Sequence, residues 1–138
     1  MDTLLLSGTA LDGAQWTLHA QDTPRGPGVV LDVRTASGRR CWGTAQRSTP
    51  LPPGQVIGGA WSRGEADEPT TWLIKLYADV RAVVVHLSDG TREDLRVVDD
   101  SHASGVRWAV LAHPPHLDVH RTDVYDTDGR ALLDAAPA

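Results

Sequence analysis

The sequence contains no phenylalanine, a single cysteine and no long apolar run. Because Cys41 has no second cysteine to pair with, no internal disulfide can form, and a 138-residue domain can bury a stable core without one. No segment approaches the ~18 consecutive apolar residues of a membrane-spanning helix, and the opening MDTLLLSGTA lacks the basic start of a signal peptide. We therefore expect a cytoplasmic protein with no membrane partner; a mature domain released from a larger secreted protein is the alternative.

Positive charge is scarce in the second part of the chain. Residues 1–60 carry a formal net charge of +1, whereas residues 61–138 carry −6, which gives −5 in total. An acidic surface of this kind repels the phosphate backbone of DNA and RNA. The charge therefore argues against a nucleic-acid partner and leaves a protein or a small molecule as the expected ligand.

Helical periodicity is absent as well, because no stretch keeps apolar residues at a 3.6-residue spacing over three turns. Short alternating or β-branched segments occur instead, separated by glycine, proline and Asp-Gly pairs, which is typical of antiparallel strands. The clearest pairs flank Ser37-Gly38 (VVLDVRTA and RRCWGTAQ) and Asp89-Gly90 (VRAVVVHLS and REDLRVV). The sequence predicts one all-β domain over residues 1–138, an antiparallel two-sheet sandwich of about eight to ten short strands. A small closed β-barrel is the alternative.

The hairpin around Asp89-Gly90 also predicts part of the core. Because side chains alternate along a strand, its apolar residues share one face. These residues, which form one layer of the core, are Val83, Val85, Leu87, Leu95 and Val97. We expect Trp108 to join this layer.

Two stretches, YADVRAVVVHLSDGTREDLRVV and VYDTDGRALL, carry a family resemblance. They resemble small, uncharacterised immunoglobulin-like β-sandwich proteins of high-GC bacteria, in which such Asp-Gly hairpins recur. The resemblance covers roughly Trp72 to Leu133. It implies an immunoglobulin-like sandwich, and it implies no catalytic residue because the shared motifs mark turns.

Three histidines, His113, His116 and His120, fall within eight positions and raise the question of a metal site. In a strand that starts at His116, the side chains of His116, Asp118 and His120 share one face. Neighbours two positions apart are close enough to hold one ion, but His116 and His120 are separated by ~13 Å, too far for both to reach a zinc ion at ~2.1 Å.

The rest of the segment indicates a surface strand. Pro114-Pro115 marks a corner, and Leu117 and Val119 are expected to point inwards, which leaves the polar residues between them in solvent. A metal site would also need ligands from elsewhere in the chain, such as His86 or His102. We therefore expect neither a metal nor another cofactor.

Five tryptophans lie on five separate segments, and most are expected in the core because no phenylalanine competes for that place. Trp61 is the exception. It follows two glycines and an alanine in GGAWSRG and stands near Arg63, so we expect it on an exposed loop. Exposed tryptophans mark binding surfaces. The sequence therefore predicts Trp61 and Arg63 as ligand- or partner-binding residues.

Motifs that would define an enzyme are missing: the sequence has no G-x-S-x-G, no phosphate-binding glycine loop and no H-E-x-x-H. The turn DTDG at residues 126–129 matches a calcium loop only in part, since Val124 and Ala135 stand where the first and twelfth ligands belong. We identify no catalytic residue.

These observations favour a non-catalytic β-sandwich binding or interaction module over an enzyme. The alternative is a small β-barrel enzyme or carrier, cyclase-like, with an apolar pocket. A third possibility is a metal-binding protein that uses His116, Asp118 and His120. A hollow apolar interior would distinguish a barrel from a filled sandwich.

Overall fold

The computed structural model describes residues 2–10, 13–65 and 68–132. Within these ranges the chain forms twelve strands and no helix, which confirms the all-β prediction. No helix long and apolar enough to cross a membrane occurs there. The strands are β1 (Thr3–Thr9), β2 (Gln15–Thr23), β3 (Gly26–Arg34), β4 (Arg40–Arg47), β5 (Ile57–Ser62), β6 (Thr70–Tyr77), β7 (Ala82–Leu87), β8 (Arg92–Leu95), β9 (Val98–Asp99), β10 (Val106–His113), β11 (Val119–Tyr125) and β12 (Ala131–Leu132).

The strands form three antiparallel sheets of four strands each. The first sheet has the order β1-β2-β3-β4, the central sheet β5-β6-β10-β9 and the third sheet β12-β11-β7-β8. In the described part of the chain none of the three closes into a barrel, so the barrel alternative does not apply. The chain leaves the central sheet after β6, builds β7 and β8 in the third sheet, returns for β9 and β10, and leaves again for β11 and β12.

The hairpins form where the turn residues predict them. β3 and β4 pair on either side of Ser37-Gly38, and β7 and β8 pair on either side of Asp89-Gly90. Gly90 has a φ of 87°, a conformation that glycine adopts without strain, and its N–H donates to the carbonyl of Leu87 at 3.0 Å. The turns therefore set the pairing of β3 with β4 and of β7 with β8.

The central sheet is buried on both faces, which makes the domain three layers thick. One core lies between the first and central sheets and includes Leu18, Leu31, Leu73, Trp108 and Val110. The other lies between the central and third sheets and includes Ile74, Leu76, Val83, Val85, Ala109 and Leu111. Alternate residues of β10 enter the two cores, and this accounts for the almost continuous apolar run VRWAVLA.

Two details differ from the sequence-based expectation. The sandwich has three sheets where two were expected, because β10 packs on both sides. Val83, Val85 and Leu87 do form one layer, with Leu95 and Val97 packed against it, but Trp108 was wrongly assigned to it. Trp108 points to the opposite face of the central sheet, into the core under the first sheet.

Candidate binding cleft

Strand β5 forms one edge of the central sheet, and Trp61 is the last residue but one of this strand. Trp61 therefore lies on a strand, and its expected place on a loop is wrong. It pairs directly with Trp72 of β6, and the two rings stack with their centroids 4.9 Å apart and their planes inclined by 14°. Trp61 is nonetheless 50% exposed, one of three large exposed hydrophobic residues among those described, together with Leu4 and Tyr77. One face of the tryptophan pair is thus open to solvent.

An apolar cleft of about 260 Å³ opens beside the tryptophan pair, between the central and third sheets. Trp72 and Ile74 of β6 form part of one wall, and Val85 of β7 and Val119 and Thr122 of β11 form part of the other. The lining of the cleft is mostly apolar, so a ligand placed there would bind mainly through surface removed from water.

Gly59 lines the cleft where β5 and β6 approach most closely. Its φ is 130°, and a β-carbon at this position would collide with the carbonyl of Leu73. Any other residue would push β5 away from β6 and disturb the stacking of Trp61 on Trp72. The glycine therefore fixes the position of the exposed tryptophan.

The polar mouth of the cleft is a smaller hollow of about 150 Å³ that shares Trp61, Trp72 and Val119 with it. Arg63 and Asp118 lie on opposite sides of this hollow. Their nearest nitrogen and oxygen are 3.8 Å apart, and the side chains are 70% and 77% exposed. An ion pair this long and this hydrated contributes little to stability.

His113 also borders the mouth, and it is buried. The indole N–H of Trp72 donates to His113 Nε2 at 3.1 Å. The proton of a neutral imidazole must then reside on Nδ1, which lies 2.9 Å from the carbonyl oxygen of Pro114 and donates to it. His113 is therefore a structural residue that orients Trp72.

His116, Asp118 and His120 are exposed, while Leu117 and Val119 pack against the core, as expected. The strand begins at Val119 and not at His116, so the first two of these polar residues lie in the loop before β11. The pairing of β11 with β7 shifts register between Val119 and Arg121, a bulge that leaves His120 outside the ladder.

The described residues contain no group of three or more His, Cys, Asp or Glu side chains placed to hold a metal ion. His86 instead lies 3.0 Å from the carboxylate of Asp123, and His102 lies 3.2 Å from that of Asp22. In the turn DTDG, the Asp126 carboxylate accepts the backbone N–H of Asp128 and of Arg130, both at 2.9 Å. Ala135, which would face a calcium ion, lies outside the described residues.

Comparison with known proteins finds no match among family models, curated proteins or solved structures. The resemblance of residues 72–133 to immunoglobulin-like proteins thus stays a hypothesis. The cleft is the feature of this fold on which a functional argument can be built.

Proposed function

We propose that this chain is a non-catalytic binding module whose cleft takes a small molecule with a flat aromatic ring. The observation that carries the proposal is the half-exposed Trp61, stacked on Trp72 at the open end of an apolar cleft. A ring that lies on the free face of the pair gains stacking energy, about 0.5–1.5 kcal/mol beyond the area that it buries. The sequence-based choice of Trp61 and Arg63 as binding residues is part of this proposal.

The size of the cleft favours a small ligand. At about 260 Å³ it lies just below the volumes typical of pockets for drug-sized molecules, so a single ring system suits it better than an extended chain. A neutral ring of this size binds through few atoms, and we expect an isolated indole to bind with a Kd of about 1 mM.

The chemistry at the mouth supports binding without catalysis. A nucleophilic enzyme needs a base that is free to take a proton from the nucleophile. His113 uses both ring nitrogens, one on Trp72 and one on Pro114. The same cleft would serve a carrier, and the assay below detects ligand binding in either case. A cytoplasmic location remains part of the proposal, supported by a sequence that contains one cysteine and therefore no internal disulfide.

Binding can be followed on the tryptophan side chains themselves. In a ¹⁵N-labelled sample each of the five indole N–H groups gives a separate signal, and the signal of Trp61 is assigned by its loss in Trp61→Phe. Titration with unlabelled indole should shift the signals of Trp61 and Trp72, and leave that of Trp42 on β4 in place. Trp61→Ala should weaken binding at least tenfold.

Tyr77→Ala is the matched control, since Tyr77 is a similarly exposed aromatic residue (45%) that does not line the cleft. It should bind indole as the unchanged protein does. Equal shifts of all exposed aromatic residues, or a Trp61→Ala protein that binds as well as Tyr77→Ala, would show that the cleft is not a ligand site. Indole that leaves every tryptophan signal in place would contradict the proposal as well.

A further inference from the structure

The position of two opposite charges at the mouth says more about the ligand. Arg63 comes directly after β5, and its side chain lines the same hollow as Trp61. Asp118 belongs to the loop before β11, on the opposite wall. A ring that lies on Trp61 would therefore hold its substituents close to both a guanidinium group and a carboxylate.

Asp118 is held in place by its backbone. Its N–H donates to Ser88 Oγ at 3.0 Å, and its carbonyl accepts the N–H of Ser88 at 2.8 Å, which ties the loop to the turn after β7. The carboxylate itself stays 77% exposed. The loop backbone is thus fixed, and it presents an exposed carboxylate that can accept a ligand's N–H groups.

The existing contact between the two charges is too weak to prevent this. At 3.8 Å, with both side chains more than two-thirds exposed, Arg63 and Asp118 retain most of their water. The guanidinium fork of Arg63 matches a ligand carboxylate, and Asp118 matches an ammonium group. A ligand with one charge would gain one partner and meet one group of its own sign. A ligand with both charges would pair with Arg63 and with Asp118.

We propose, on the basis of the function proposed above, that the ligand is a zwitterion: an aromatic ring that carries a carboxylate and an ammonium group on a short arm, as an aromatic amino acid does. The ring would lie against Trp61, the carboxylate would pair with Arg63 and the ammonium group with Asp118.

Four probes with the same ring separate the contribution of the ring from those of the carboxylate and the ammonium group. They are indole (neutral), indole-3-propionate (anion), tryptamine (cation) and L-tryptophan (zwitterion). Each is titrated into the ¹⁵N-labelled protein at low salt and read on the Trp61 indole signal. We expect L-tryptophan to bind about three- to tenfold tighter than indole, the gain expected from two exposed ion pairs. Tryptamine and indole-3-propionate should stay within about twofold of indole.

Charge-removing variants test the assignment of each partner. Arg63→Gln should abolish the advantage of L-tryptophan and make tryptamine the tightest probe, because the repelling cation is gone. Asp118→Asn should make indole-3-propionate the tightest. The control variants Arg92→Gln and Asp94→Asn remove a pair of similar exposure on β8, outside the cleft, and should leave the order unchanged.

The outcomes distinguish this inference from the function on which it rests. If indole binds but all four probes bind equally, or a singly charged probe binds tightest to the unchanged protein, the ligand is not a zwitterion. The proposed site for an aromatic ring would remain supported in that case. If no probe shifts the Trp61 signal, the aromatic site itself is wrong. An advantage of L-tryptophan that persists in both Arg63→Gln and Asp118→Asn would also overturn the inference.

Discussion

Replacement of Asp100 by alanine should destabilise the protein more than any surface change, because this buried carboxylate joins three parts of the fold. Asp100 is 6% exposed and follows β9. It accepts the indole N–H of Trp108 at 3.0 Å and the hydroxyl of Ser48, which lies just after β4. It also accepts the backbone N–H of His102 at 2.9 Å. The carboxylate therefore links the first sheet to the central sheet.

The magnitude follows from the groups left without a partner. Trp108 is fully buried and Ser48 is 7% exposed, so water cannot replace the lost acceptor at either. A buried neutral polar group without a hydrogen bond costs about 1–3 kcal/mol, and two such groups give about 2–6 kcal/mol. The N–H of His102 lies in a partly exposed turn and should hydrate. We therefore expect Asp100→Ala to lower the free energy of unfolding by about 3 kcal/mol.

Urea unfolding followed by far-UV circular dichroism measures this change, and a double-mutant cycle with Trp108→Phe identifies its cause. Trp108→Phe removes the indole donor, so Asp100→Ala should cost at least about 1 kcal/mol less in that background. Asp94→Ala is the control, since Asp94 is 70% exposed, and should change stability by less than about 0.5 kcal/mol. Additive effects of Asp100→Ala and Trp108→Phe, within about 0.5 kcal/mol, would refute the argument.

Four further substitutions test the layers, the cleft and the ion pair between Asp99 and Arg107. Val85→Ala and Leu87→Ala should each lower the free energy of unfolding in urea by about 2–4 kcal/mol. Val85→Ala should lie at the lower end of this range, because Val85 borders the open cleft. Near-neutral effects of both substitutions would mean that the core is misassigned. Gly59→Ala should cost more than about 2 kcal/mol and abolish indole binding, because a β-carbon there collides with β6; an unchanged melting temperature would contradict this. The hydrogen bond from Arg107 lowers the pKa of the Asp99 carboxyl in the folded protein. The stability that this pair contributes is therefore fully present above the unfolded carboxyl pKa of ~3.9, and it is lost as the pH falls through the lower pKa of the folded state. Asp99→Asn should therefore reduce stability at neutral pH by less than about 1 kcal/mol, since Asp99 is mostly exposed, and the deficit should vanish in acid; a deficit that is constant from pH 7 to pH 2 would show that charge is not its cause.

The sequence predicts the hairpins because their signals are local. Ser37-Gly38 and Asp89-Gly90 each place glycine where the turn needs a positive φ, and the flanking segments alternate. The inward positions of Val83, Val85 and Leu87 follow from that alternation, and the structure confirms them.

The number of layers was not predictable in the same way. Periodicity identifies the faces of a strand but does not say what covers each face. In β10 both faces are covered, and the continuous run VRWAVLA was the one sign of it. Trp108 was assigned to the wrong core because a strand buried on both sides shows no polar face from which its orientation can be determined.

The cleft combines predictable and unpredictable parts. Glycine neighbours and a nearby arginine indicated that Trp61 is exposed, and the structure leaves it half-exposed. Its stacking on Trp72 depends on the register of β5 against β6. The opposite wall depends on the bulge after Val119, which brings Val119 and Thr122 to the same side of β11 although they are three residues apart. Neither the register nor the bulge has a signal in the local sequence.

The edge position of β5 explains how this fold can keep such a site. An edge strand with an exposed aromatic residue invites pairing with another chain, so proteins protect it with charged side chains or with a local departure from regular strand geometry, such as the φ of 130° at Gly59. Gly59 lies in the middle of β5, and Arg63 with its positive charge follows the end of the strand. Both residues also act in the cleft, since Gly59 lets β5 approach β6 and Arg63 stands at the mouth. The features that protect the edge against strand addition are thus the ones that keep Trp61 accessible to a small ligand.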